Sequence, residues 1–369
     1  MEIKLPVLKT VTLDLSDRYD DYRVSGQDVT KNTYTLGVEF RPFEAMLLRG
    51  RYGTSFKAPT LSDEFQGQSG FFQTVTDYYY CSITAQPIGS CAQANESIFG
   101  TTSGNTHLKP ITATDWDVGV VWTPIQHLSF NLDYLHWNIS NEVQQQDSDQ
   151  LLRINSACLL GQLPVNSPSC VQAIAGVTRD ANGLATAIST PKLNVAAESL
   201  GVVVFGFSYS VKTEHAGQFG VDGAYSDLLK HTELRFAGDS VIDLLNSPFY
   251  STEFKTKANL SVSWALGKFA ATTYVERYGK TPNYQAQQTV DGYAANGAGN
   301  VGTWTLFNLS ARYELTPGLV LQGNVNNVFN TLPPVDHSQP GTSNQPFSVF
   351  NYSNYGRSYF IGVEYKFGK

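Results

Sequence analysis

The chain has 369 residues, with 25 Lys and Arg against 32 Asp and Glu, for a formal net charge of -7. That balance excludes the basic stripe that broad nucleic-acid binding needs. Charged residues are only 15 % and aromatic residues 12 %, too little charge to clothe two ordinary soluble domains and too many rings for disorder. No run of 18 apolar residues marks a transmembrane helix. Met1-Glu2-Ile3-Lys4-Leu5-Pro6 lacks the apolar core of a signal peptide.

In chain order, the dominant pattern is period-two alternation, the mark of strands with one apolar face. Val11, Leu13 and Leu15 alternate with Thr12, Asp14 and Ser16. Tyr34, Leu36, Val38 and Phe40 oppose Thr35, Gly37 and Glu39. Phe307, Leu309, Ala311 and Tyr313 repeat the pattern, as do Tyr359, Ile361, Val363, Tyr365 and Phe367. About twelve segments of this kind are expected, near 11-22, 32-42, 45-56, 113-124, 127-143, 198-213, 217-228, 253-266, 268-279, 303-315, 318-329 and 357-367. Each is about as long as a tilted membrane strand, roughly ten residues. No segment carries a helical stripe.

Short and long connections alternate. Tight turns are expected at 41-44, 123-126, 266-267 and 316-318, and long loops near 57-112, 144-197, 228-252, 280-302 and 330-356, with a shorter link at 23-31. Soluble domains rarely carry several long structureless loops, whereas a transmembrane β-barrel has short turns on one side and long loops on the other. Trp116, Trp122, Trp137, Trp264, Trp304, Tyr313 and Tyr359 fall near strand ends, as interfacial girdles do. The expected fold is all-β: an antiparallel transmembrane β-barrel.

Several motifs then resemble those of the TonB-dependent outer-membrane receptors. Arg49 to Leu61, with its Phe56-Lys57-Ala58-Pro59 core, is similar to a barrel-strand motif of that family, although Lys57 stands where Arg is usual. Asn105-Thr106-His107-Leu108-Lys109-Pro110 resembles the stretch before the next strand, with Ile111 in place of the usual Glu. Asn324 to Asn330, followed by Pro333-Pro334, resembles the penultimate strand, and Arg357 to Phe367 the closing one. The resemblance implies about 12 strands of a 22-stranded barrel, so residues 1–369 are expected to be the C-terminal portion of the barrel domain, without plug domain or signal peptide. A truncated reading frame or gene fragment is the expectation, with a self-standing small barrel as the rival.

The resemblance also implies function. The expected activity is energised uptake of a scarce solute, such as a siderophore, cobalamin or oligosaccharide, at the outer membrane of a Gram-negative bacterium, with no catalysis. Expected partners are outer-membrane lipid, the TonB–ExbB–ExbD complex through the missing N-terminal part, and the barrel-assembly machinery through the C-terminal strand. A passive porin-like channel and a secreted β-rich glycan-binding or glycan-cleaving protein are the alternatives.

The remaining constellations are few. Cys81 with Cys91, and Cys158 with Cys170, each lie inside one long loop and are candidate disulfides. Gly297 to Gly302 fits a dinucleotide fingerprint but lacks the flanking strand and helix. Asp180-Ala181-Asn182-Gly183 reads as a hairpin turn rather than a calcium loop. Six scattered histidines give no metal or catalytic pattern, and no cofactor is expected. Asp115 and Asp117 are expected to line the lumen together. The loop aromatics Tyr78, Tyr79, Tyr80, Phe350, Tyr352 and Tyr355 are candidate ligand contacts, since Tyr joins apolar area to a polar tip. Loop-to-loop packing is the competing role.

Overall fold

The computed structural model describes every residue except 25–26, 236–239, 247–252, 288–291, 340–345, 348–350 and 368–369. Thirteen long strands follow one another in chain order, each antiparallel to the next. They are β1 (Glu2–Leu8), β2 (Val11–Val24), β3 (Gln27–Phe43), β4 (Met46–Lys57), β5 (Ile111–Ile125), β6 (Leu128–Gln145), β7 (Lys192–Thr213), β8 (Gly217–Leu234), β9 (Thr256–Leu266), β10 (Phe269–Tyr278), β11 (Trp304–Thr316), β12 (Leu319–Asn326) and β13 (Ser358–Tyr365). A two-residue strand, Ile242–Asp243, adds to β8. Among the described residues no ladder joins β13 to β1.

All twelve expected strands are present, and β1 is a thirteenth. Its Ile3 and Leu5 pair with Leu15 and Leu13, so the chain is already strand from Glu2. The described residues of the 23-31 link are also strand: β2 and β3 stay in register up to Val24 and Gln27.

Period two gives the sheet two chemically distinct faces. Leu36, Tyr52, Trp116 and His136 lie side by side on one face, since each pairs directly with the next. Many of its side chains are apolar and exposed, Leu36, Val38, Val118 and Leu132 among them. The other face carries Asp14, Gly37, Arg51, Asp117 and Leu135 in register. Two aromatic rows edge the apolar face. Near the tight turns lie Trp122 and Phe130 (6.0 Å), Phe219 and Trp264 (6.4 Å), and Trp264 and Phe269 (5.6 Å). Farther along lie Tyr34 and Tyr52 (6.2 Å), and Trp116 and Tyr134 (5.2 Å). Two expected girdle residues are elsewhere: Trp137 pairs with Asp115 on the polar face, and Trp304 is buried. The tight turns use left-handed backbone where a side chain would strain, at Gly267 (φ 57°) and Gly318 (φ 100°).

The two longest loops are not structureless. They share a four-stranded sheet in the order Ser69–Val75, Glu96–Thr102, Ala185–Ser189, Val177–Arg179. Ala185–Ser189 runs parallel to Glu96–Thr102, so one loop completes the other. Asp180 to Gly183 turns the chain between the last two strands, with Gly183 at φ 83°. Helices Ser148–Leu159 and Pro168–Gly176 cover the sheet, contrary to the sequence reading. Asp147 and Ser167 cap them by accepting from Gln150 N and Cys170 N. The core is Val75, Ile98, Leu151, Leu152, Ala173, Val177 and Ile188.

Candidate ligand-binding site

The polar face of the sheet carries an ionic lattice that spans several strands. Lys4 reaches Asp14 (3.7 Å) and Glu39 (3.3 Å). Arg51 on β4 binds Asp117 (3.0 Å) and Asp115 (2.6 Å) on β5, so the two aspartates flanking Trp116 do point the same way. Arg49 binds Asp133 on β6 through Nε (3.0 Å) and a terminal nitrogen (2.7 Å). Asp14, Glu39, Arg49, Arg51, Asp117 and Asp133 line a concavity of about 530 Å³. Alternating signs in fixed positions satisfy one another and make a rigid, polar wall.

Beyond the lattice the strands run on. His231 lies fourteen residues from Gly217 (217 to 231), roughly 45 Å along the strand and past an apolar band of about 25 Å. There His231 pairs with Leu200 on the polar face, and its Nε2 bonds Glu198 (2.7 Å) while its Nδ1 faces Glu253. Hydrogen bonds to Glu198 and then Glu253 raise the imidazole to about 9, against the penalty of burial. Glu142, next to Glu198 and part-buried, is raised to about 7, first by the shared hydrogen bond and then by burial. Among the described residues no group of three or more His, Cys, Asp or Glu is arranged to hold a metal ion.

The tyrosine run sits in the folded loops. Tyr78–Ile83 is a short helix capped by Asp77, which accepts from Tyr80 N. Tyr78 donates to Asp149 (2.9 Å), and the Arg153 guanidinium lies 4.1 Å from its ring centre. Burial, with Asp149 beside it, holds this phenol above its ordinary range. Arg179 lies 4.8 Å from the centre of the Tyr79 ring. The same guanidinium binds both Asp77 oxygens (2.9 Å each), Asn155 Oδ1 (2.8 and 3.0 Å) and Gly183 O (2.7 Å). Tyr78, Tyr79 and Tyr80 are half-buried, so much of their surface packs within the loop domain. Cys81 is bonded to Cys91 and Cys158 to Cys170, with Cα separations of 5.7 and 5.6 Å.

The later aromatics are in a different place. Tyr352 is buried at the centre of a nest. Phe254 (5.5 Å), Trp304 (5.5 Å) and Phe347 (6.4 Å) surround its ring, and its hydroxyl meets Thr281 Oγ1 at 3.0 Å. Tyr278 stacks on Trp304 from the neighbouring strand. Tyr355 is 85 % exposed, and Phe350 lies outside the described residues. Among the described residues no ring contact joins Tyr78, Tyr79 or Tyr80 to Tyr352 or Tyr355.

Sequence reasoning missed Arg179, Asn155 and the His231 cluster. The one local signal was Asp77 immediately before an apolar run, a helix-cap signature.

Residues 2–328 match the family model described as TonB dependent receptor-like, beta-barrel. Among solved structures, the chain is similar to the ferric enterobactin receptor PfeA from Pseudomonas aeruginosa, with a TM-score of 0.62, 14 % identity, and coverage of 99 % of this chain and 44 % of that one. It is similar to the siderophore receptor PirA from Acinetobacter baumannii at TM-score 0.59 and 14 % identity, over 98 % of this chain and 44 % of that one. The copper transporter OprC gives TM-score 0.53 and 10 % identity, over 99 % and 46 %. The chain thus spans under half the length of these structures, and at such identities the likeness speaks for the fold alone. No curated protein matches in sequence.

Proposed function

Because the chain belongs to the TonB-dependent receptor β-barrel family, we propose that it forms the wall and folded outer loops of a receptor for a large, scarce solute. Proteins of this family are transport receptors, not enzymes, and reside in the outer membrane of Gram-negative bacteria. Residues 1–369 are assigned to the barrel domain. Uptake is energised by the TonB–ExbB–ExbD complex, and β13 is the strand that the barrel-assembly machinery reads.

The observation that carries the reading is the capped rim. Two long loops from different hairpins fold together through a shared sheet, each stapled within itself by one disulfide. An ordered outer domain gives a surface that selects a solute, at an ordering cost that a passive pore has no need to meet. A siderophore-class metal chelate is favoured over cobalamin or an oligosaccharide, because PirA is a siderophore receptor and PfeA a ferric enterobactin receptor by name.

The test is uptake of radiolabelled ferric chelates, labelled cobalamin and labelled oligosaccharides by cells with and without the gene, each in the presence and absence of functional TonB. Gene- and TonB-dependent uptake of one ferric chelate is the expected result. Gene-dependent uptake that persists without TonB would establish a passive channel instead.

A further inference from the structure

A cavity of about 340 Å³ opens at the outer ends of β2, β3 and β4, beside the short helix Leu61–Phe65. That is within the size range of small-molecule sites, about 300–1,000 Å³. Its face is fixed by register. Tyr22 falls on the same period as Asp14, and Lys57 on the same period as Arg51, so both belong to the polar face and not to the lipid one. Tyr22 pairs with Val29, and its ring meets that of Phe56 edge-on at 5.8 Å.

The lining holds two charged side chains, Lys57 and Glu64. Glu64 is 6 % exposed. Among the described residues neither side chain has a hydrogen bond or an ion pair. The neighbouring acid is fully engaged: Asp63 accepts from Lys192 Nζ (2.6 Å), Thr60 Oγ1 (2.7 Å) and Thr60 N (2.9 Å). Glu64 N donates to Thr60 O (3.1 Å), and Thr60 follows Lys57 by three residues (57 to 60), so one tight turn carries both charges. Asn105 N and Gly104 N hold the helix from its other side, through Asp63 O (2.9 Å) and Gln66 O (2.8 Å). The direction of Glu64 is therefore set by the fold.

A carboxylate buried without a partner is costly. A simple cation in this cavity would match Glu64 and leave Lys57 unmatched; a simple anion would do the reverse. A molecule with two separated charges matches both and adds no net charge. Tyr22 and Phe56 supply ring surface for an ammonium end, and Val29 and Pro59 an apolar wall for the atoms between.

We propose that this cavity binds a small zwitterion, with a primary ammonium at Glu64, an oxyanion at Lys57 and a short apolar spacer between them. Amino acids have that chemistry. Binding here is independent of which solute the receptor transports, and it is read without uptake.

The protein is extracted in mild detergent from its own outer membrane, dialysed, and titrated calorimetrically. The probes are glycine, β-alanine and γ-aminobutyrate, with ethylamine and acetate as single-charge controls. The best of the three zwitterions is expected to bind at least tenfold more tightly than either control. Glu64→Gln and Lys57→Met each lower that affinity at least tenfold, while Glu44→Gln in a tight turn at the opposite end of the wall leaves it unchanged. If Glu64→Gln loses heat-modifiable gel migration, Lys57→Met alone decides. No binding of any zwitterion overturns the site, as does affinity unchanged in the folded variants. Ethylamine or acetate binding as tightly as the best zwitterion overturns the two-charge ligand.

Discussion

Arg49 on β4 grips Asp133 on β6 across the strand between them. The residue beneath the bridge is Gly119, which pairs with both. A Cβ there would lie 1.9 Å from Asp133 Oδ1 and 3.3 Å from Arg49 Nε. Only hydrogen fits under this ion pair, so the lattice depends on one absent methyl group.

Gly119→Ala should therefore part Arg49 from Asp133 and destabilise the wall by about 1–3 kcal/mol, the usual cost of overpacking. The midpoint of heat-modifiable gel migration should fall. In an Asp133→Ala background the same change should cost far less, because the clash is gone. Equal losses in both backgrounds would exclude this account.

Arg179 is the hub of the loop domain, joining residues 77, 155 and 183. Arg179→Ala leaves Asp77 buried without its cation, a loss of about 3–5 kcal/mol. That exceeds what a small local domain commonly holds in reserve, so residues 57–112 and 144–197 should become protease-sensitive while the long strands stay resistant. Cleavage no faster than in the wild type would show that the hub is dispensable.

Each disulfide closes a short loop, with sequence separations of 10 and 12. Replacing either pair by Ser should cost the loop domain about 2–3 kcal/mol on chain entropy. Intact protein should show no reactive thiols before reduction and four after it. Four reactive thiols without reduction would refute both bonds.

The His231 cluster should loosen as pH rises. Its folded value is raised to about 9, so the stabilisation is full below the unfolded value near 6.5 and is lost as pH passes about 9. Glu142 is also raised, to about 7, so its deprotonation next to Glu198 acts in the same direction. Asp63 has the opposite sign. Lys192 and Thr60 lower it to about 2, so its contribution is present above the unfolded value and is lost only as pH falls through about 2. Amide exchange in residues 228–235 and 240–246, corrected for intrinsic rate, should quicken between pH 7 and 10 in the wild type and stay flat in His231→Gln. The reverse order would rule out the imidazole as the fastener.

Alternation found the strands because the bilayer and the polar interior sort side chains by face. It failed where that sorting stops. Residues 23–24 and 27–31 lie past the lipid band, where both faces are wet and no period is imposed, and so they read as a link. β1 is seven residues long and includes Pro6, too little pattern to stand alone. The loop domain was unreadable for another reason. Leu151 and Leu152 are buried against Val75, Ile98 and Ile188, partners distant in the chain, whereas periodicity is a local quantity. The tyrosine run was visible as chemistry, but its setting depends on Arg179, a hundred residues away.

By itself the sequence determined that most strands have one apolar and one polar face, because a strand's two faces are set by adjacent residues, but it did not place Trp137 on the polar one. Only the tertiary structure decided which charges meet: Arg49 with Asp133 over Gly119, Arg179 with Asp77, His231 between Glu198 and Glu253. Those pairings arise from register and loop docking, which are summed over many weak contacts far apart in the chain.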